Sequence, residues 1–374
     1  MQKTMQNKFT NIIQMCFLLA LCLGLLQFSF SSIADTAEEN YNKGVTKIDS
    51  GDQKGAIKDF DLAIKANSKY ADAFYYRGYA KIDLKDYNAA ISDLSKAILL
   101  DPKNKNAYFE RAYAKVELKD FKGALKDLDQ AVTVDPGFAK AFRERGYVKR
   151  ELADYASSID DYSKAIEIDP NYAKAYYDRA YVKIDKKDYY AAIDDLNKTI
   201  KLDPKFHKAY YELGYLKIEL KNFKEAIENL TKAIELNPNY PGAYFERAYA
   251  KVELKDFDAA ISDLDKAVEY DPKYTKAYRE RGYAKREKKD YTGAMEDFTL
   301  AISVEPGHPK AYYERAYTKV ELNDYQGALN DLDKAIKLDP NYKDAYTERA
   351  YAKERIGDKK GAELDRKKAE SIKI

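Results

Sequence analysis

Histidine and cysteine, the side chains most used for metal binding and for acid–base or nucleophilic chemistry, are almost missing from this chain. Of 374 residues only His207, His308, Cys16 and Cys22 are of these types, and both cysteines lie near the N-terminus. Metal cages, thiol nucleophiles and imidazole catalysis have few parts to draw on, so neither an enzyme nor a cofactor is expected. No glycine-rich phosphate loop or nucleophile elbow is present in the sequence. His207 and His308 fall between repeated segments, where a solvated loop histidine is the expected state.

The chemistry that remains comes from tyrosine and from charge. The chain holds 35 Tyr and no Trp, and its 65 Lys and Arg face 63 Asp and Glu. Lys3 and Lys8 stand in a first 34 residues without acids, so the rest is formally neutral and a nucleic acid partner is not expected. Tyrosine recurs at Tyr79, Tyr113, Tyr147, Tyr181, Tyr215, Tyr249, Tyr283, Tyr317 and Tyr351, always 34 residues apart. Proline keeps the same interval from Pro102 to Pro340.

Elements that position these residues follow from the period. Ten repeats start at 37, 71, 105, 139, 173, 207, 241, 275, 309 and 343, and each carries two helical patterns. The sixteenth place of a repeat is Asp in nine, from Asp52 to Asp358, and Asn222 in the other, the expected N-cap of the second helix. The proline at place thirty-two stops that helix, because it has no N–H to continue the ladder. Residues 107–121 recur unchanged at 243–257, an offset of four repeats.

With a small residue at place eight (Gly78, Ala112, Gly146), Ala at twenty (Ala90, Ala124, Ala192) and at twenty-seven (Ala97, Ala131, Ala165), and Pro at thirty-two, the unit resembles the tetratricopeptide repeat. The resemblance covers residues 37 to 374 and implies an all-α, right-handed α-solenoid that acts as a protein–protein interaction scaffold. It also implies that the first-helix stripe of places five, nine and twelve lines a concave groove for a protein or peptide partner. Those places carry Tyr177 and Tyr211, the tyrosines from Tyr79 to Tyr351, and, in repeats four and eight, the basic bands Arg143 with Arg150 and Arg279 with Arg286. Binding centred on Tyr147, Tyr181, Tyr215 and Tyr249 is the expectation, with the arginines selecting an acidic group. Two alternatives stay open: the tyrosines pack neighbouring repeats together, or the face stacks on cell-envelope glycan. The terminal-carboxylate clamp of chaperone-binding family members is not carried over, since Tyr takes the place of its Asn.

A second column predicts structure. Place seven is Arg in eight repeats and place twenty-three is Asp in nine, and the only repeat with Asn at twenty-three, Asn229, has Leu213 at seven. This predicts a ladder of ion pairs between the two helices, such as Arg111 with Asp127 and Arg247 with Asp263. In the first repeat Lys43 is expected opposite Asp59.

Residues 1–34 read as a signal peptide: basic Lys3 and Lys8, an apolar run from Ile12 to Phe28, then Ser32 and Ala34 at a small-residue cleavage site. The mature protein would be periplasmic or secreted, without cysteine and without a membrane span. N-terminal sequencing of protein from its native host is expected to begin at Asp35; a membrane-bound form that keeps Met1 would contradict this.

Overall fold

A computed structural model describes residues 36–372. The expected signal segment, with Cys16 and Cys22, lies outside the described residues. The described residues are helices and turns, and the chain divides into two compact halves between Lys186 and Lys187. The first half holds α1 (36–49), α2 (Gln53–Ala66), α3 (Ala71–Asp83), α4 (Tyr87–Leu100), α5 (Lys105–Glu117), α6 (Phe121–Val134), α7 (Ala139–Glu151), α8 (Tyr155–Ile168) and α9 (Ala173–Asp185). The second holds α10 (Tyr189–Leu202), α11 (His207–Glu219), α12 (Phe223–Leu236), α13 (Pro241–Glu253), α14 (Phe257–Tyr270), α15 (Thr275–Glu287), α16 (Tyr291–Val304), α17 (Pro309–Glu321), α18 (Tyr325–Leu338), α19 (Lys343–Arg355) and α20 (Lys359–Ser371). Within each half a first helix packs on its own second helix, and that helix packs on the next first helix, as α3 on α4 and α4 on α5. This is an α-solenoid of stacked helix–turn–helix repeats.

Local chemistry explains the boundaries. In eight repeats the Asp at place sixteen accepts the N–H three residues on, at 2.9 to 3.4 Å, which satisfies one of the free donors of the second helix. Asn222 makes no side-chain cap bond. Second helices end two residues before proline, as at Leu100 and Pro102, and the acid between them turns back: Asp101 accepts the N–H of Lys103 at 3.0 Å. The hairpin itself needs a left-handed residue at place fifteen. In the first and last repeats that residue is Gly51 or Gly357, while Lys85, Lys119, Ala153, Lys187, Lys221, Lys255, Lys289 and Asn323 hold φ between 59° and 66°.

Packing inside a repeat joins a small residue to a large one. Tyr162 is buried over Gly146, where an added Cβ would sit 2.9 Å from the ring, and Leu94 lies over Gly78 in the same way. The alanines at places twenty and twenty-seven, such as Ala90 and Ala97, are fully buried where the helices approach most closely.

The ion-pair ladder is present. Arg111 donates from Nε and Nη2 to the two oxygens of Asp127 at 2.9 and 2.6 Å, and Lys115 reaches the same carboxylate at 2.7 Å. Arg247, Asp263 and Lys251 repeat the arrangement. The third nitrogen of each guanidinium does something that was not expected. Nη1 of Arg111 donates to Ser95 on the second helix of the preceding repeat at 2.9 Å, and Arg145, Arg247 and Arg349 reach Asp129, Thr231 and Asp333 likewise. One arginine therefore holds three helices.

Repeat six lacks this unit. Leu213 is buried in place of Arg, Asn229 bonds the Glu225 carbonyl at 2.8 Å, and Lys217 pairs with the Glu225 side chain. In the first repeat Lys43 pairs with Glu39 and it is Lys47 that reaches Asp59 at 2.6 Å, because Lys43 lies one turn from Glu39 on the same helix face. Asp127→Asn or Asp263→Asn is expected to lower stability by about 1–3 kcal/mol, read as a lower urea midpoint. Leu213→Arg should cost more alone than together with Asn229→Asp.

Candidate partner-binding face

The stripe expected to act as one surface is divided in two by the structure. Aromatics at place five pack on the aromatic that ends the same repeat: Phe109 on Phe138 at 5.3 Å, Tyr211 on Tyr240 at 4.9 Å, and Phe245 on Tyr274 at 5.1 Å. Burial pushes the Tyr211 hydroxyl well above the usual tyrosine range, as befits a packing residue. Tyr177 lies 6.4 Å from Tyr181 in a tilted pair. Place nine keeps more water. Tyr113 and Tyr181 are 37% and 36% exposed, and Tyr79, Tyr147, Tyr215, Tyr249, Tyr283 and Tyr317 are half-buried.

Three of the four stripe arginines are paired with carboxylates. Arg143 donates to Asp178 at 2.6 Å, and Arg150 donates to Asp185 at 3.1 Å while its guanidinium lies 4.4 Å over the Tyr181 ring. Arg286 donates to Glu314 at 2.7 Å and lies over Tyr317, and Arg279 contacts His308 Nε2 at 2.8 Å. Arg143, Arg150 and Arg286 thus have acid partners in the next repeat, whereas Arg279 meets the imidazole that closes its own repeat. His308 is not a solvated loop residue. It precedes α17, and burial, followed by the Arg279 charge, pushes it below the ordinary imidazole range. His207 presents Tyr240 with an edge-on ring contact at 5.8 Å.

What the sequence reading missed is a row of carboxylates beside the rings. Place six is acidic in repeats three to ten and place thirteen in repeats one to nine. With place nine these form an i, i+3, i+7 stripe, so the helical spacing already contained the signal. Glu110 is pushed up to about 7, chiefly by burial, with Asp83 and Glu144 adding to the rise and Lys140 opposing it. Glu246 is also pushed up to about 7, by burial first, against Lys276 and with Glu219 and Glu280. Burial raises Glu144, Asp178 and Glu280 as well.

A cavity opens on this face in each half. The one in the first half, about 670 Å³, is lined among others by Tyr113, Val116, Glu117, Arg143, Glu144 and Tyr147. The one in the second, about 620 Å³, is lined by their counterparts 136 residues on: Tyr249, Val252, Glu253, Arg279, Glu280 and Tyr283. The four-repeat duplication has thus produced the same cavity twice. Among the described residues no group of His, Cys, Asp and Glu is arranged to hold a metal ion, and no helix is long and apolar enough to cross a membrane.

Models of the tetratricopeptide repeat match residues 71–104, 106–138, 173–206, 207–240 and 245–310, and a TPR repeat model matches 146–184 and 316–357. The chain belongs to the tetratricopeptide repeat family. Such repeats indicate a protein–protein interaction scaffold. One solved structure agrees in fold, and two others are similar over part of the chain. A chain of the APC/C hetero-tetramer Cut9–Hcn1 is 15% identical, with a TM-score of 0.51 over 84% of this chain and 76% of that one. A tetratricopeptide repeat protein from Parabacteroides merdae is 18% identical, with a TM-score of 0.49 over 66% and 98%. YrrB, described as a TPR protein with an unusual peptide-binding site, is 26% identical, with a TM-score of 0.44 over 49% and 95%. No curated protein matches the sequence.

The raised carboxyls make the stability of this tetratricopeptide repeat protein depend on pH. A carboxyl near 7 in the fold and near 4.3 when unfolded binds more protons folded between those values, so stability falls as pH rises through that window. Glu110→Gln and Glu246→Gln are each expected to stabilise by about 1–3 kcal/mol at pH 8 and by almost nothing at pH 4.5. Denaturation midpoints at the two pH values check this, and an equal effect at both would contradict it.

Proposed function

We propose that this chain is an exported scaffold, without enzymatic activity of its own, that holds a segment of a protein partner against the tyrosine face of its first helices. The observation that carries this reading is the division of the stripe. The place-nine rings Tyr79, Tyr113, Tyr147, Tyr249 and Tyr283 line open cavities, while the place-five rings Tyr211 and Phe245 pack on the aromatic that ends their repeat. Tyrosine suits a peptide anchor, because its ring supplies apolar area at the cost of few rotatable bonds and its hydroxyl can bond the partner's backbone.

Export supports the same reading from the other end of the chain. The basic start, the apolar run and the small residues before Asp35 fit a signal peptide, and its removal takes away both cysteines. A chain without thiols folds in the periplasm or outside the cell with no wrong disulfide to form.

Affinity capture from the native envelope, with partners identified by mass spectrometry, provides the ligand for the test. Tyr147→Ala with Tyr181→Ala in the first half, and Tyr215→Ala with Tyr249→Ala in the second, are expected to weaken binding at least about tenfold per pair. Each variant must keep wild-type helicity and unfolding midpoint. Unchanged affinity in folded variants of both halves would move the site off this face.

A further inference from the structure

The chain shows in its own repeats how this face receives a cation. Arg150 and Arg286 both occupy place twelve, and each crosses to the next repeat, lies over its place-nine ring and pairs with one of its carboxylates. For Arg286 the ring is Tyr317 at 4.6 Å and the carboxylate is Glu314. Attraction to the ring face and to the acid act together there, which is the strongest form of cation recognition these side chains offer.

In repeats three and seven place twelve is Val116 and Val252. The next repeat still presents a ring and an acid, Tyr147 with Glu144 and Tyr283 with Glu280, and these residues and the valines line the two cavities. Glu144 also takes a 3.2 Å contact from Arg143, and Arg286 lies 5.3 Å from the Tyr283 ring, so a further cation would share the acid in one cavity and the ring in the other. Space stands open where an arginine side chain would otherwise lie. The balance of charge leans acidic: four carboxylates line each cavity against three cations, Lys85, Arg143 and Lys174 in the first and Lys255, Arg279 and Lys310 in the second.

From this, and resting on the peptide-scaffold reading above, we infer that the partner segment is basic, and that its arginine side chains enter these two cavities, over Tyr147 beside Glu144 and over Tyr283 beside Glu280. The partner's guanidinium takes the position that Arg286 takes over Tyr317. Burial makes Glu144 and Glu280 costly to ionise, a cost that Arg143 and Lys174, and Lys310 and Arg279, only partly offset, so an incoming cation adds charge neutralisation to the contact.

The test uses the full mature chain and a fluorescent dodecapeptide of arginine alternating with serine and glycine. Two companion peptides replace every arginine with its neutral isostere citrulline or with glutamate. Anisotropy titration is expected to show the arginine peptide binding at least about tenfold more tightly than the citrulline peptide, with the difference shrinking as salt rises. Val116→Arg with Val252→Arg supplies the missing arginines in cis. This variant is expected to keep its unfolding midpoint and to lose at least about tenfold in affinity, because its own side chains fill the cavities. Glu144→Gln with Glu280→Gln, which keeps shape and removes charge, should lose a similar factor.

Equal affinity for the arginine and citrulline peptides, or tighter binding of the glutamate peptide, would overturn the inference while leaving the scaffold reading in place. Undiminished binding of the arginine peptide by both folded double variants would also overturn it, since the cation would then be held elsewhere. The scaffold reading itself fails only on the tyrosine variants and the captured partner.

Discussion

The arrangement depends on one largely buried guanidinium in each of eight repeats. A carboxylate as enclosed as Asp127 or Asp297 is tolerable only when its charge is answered, and Arg111 or Arg281 answers it with a two-bond fork while the lysine one turn on adds a second cation. The fork has a fixed plane, so it sets the roll of the first helix against the second. The remaining nitrogen then fixes the first helix to the previous repeat through an Asp, Ser or Thr. In these repeats a single planar group thus ties helix spacing within the repeat to spacing between repeats, while in repeat six the apolar contacts around Leu213 hold the same packing without it. Lysine, a point charge without a fork, could not replace it.

That spacing is what gives the tyrosine face its character. Once the first helices are held side by side, place five meets the aromatic before the next helix and is consumed by packing, while place nine falls between adjacent first helices with its ring face available. Carboxylates of places six and thirteen flank that ring on the same helix. Where the chain puts arginine at place twelve the gap is filled from within; at Val116 and Val252 a cavity stands open.

Much of this was legible in the sequence, and the limits have a physical origin. The period of 34 located helix starts such as Ala71, Lys105 and Pro241, and two columns changing together, Leu213 with Asn229, identified the ladder before any geometry was known. Both signals are internal to a repeat. Contacts between repeats were harder to see, because a column shows what residue recurs but not which neighbour it meets. Arg143 read as a basic band, yet Asp178 lies 35 positions on, one repeat and one residue away. The third arm of Arg111 and the acid stripe were missed for different reasons. Ser95 and Thr231 are too ordinary in type to stand out at place twenty-five, and the acids of places six and thirteen went unread although their i, i+3, i+7 spacing with tyrosine marks one face.

The left-handed residue in each hairpin bears on what each turn requires of its surroundings. A lysine at φ near 61° is held against its own preference by about 1–2 kcal/mol, a strain that persists only when surrounding contacts enforce it. Interior repeats have a neighbour on each side to do so. In the first and last repeats the residue is Gly51 or Gly357, for which the conformation carries no steric penalty. Replacing either glycine by lysine would impose on that hairpin the strain that the interior ones already carry, and the contacts around it would have to hold the turn in place.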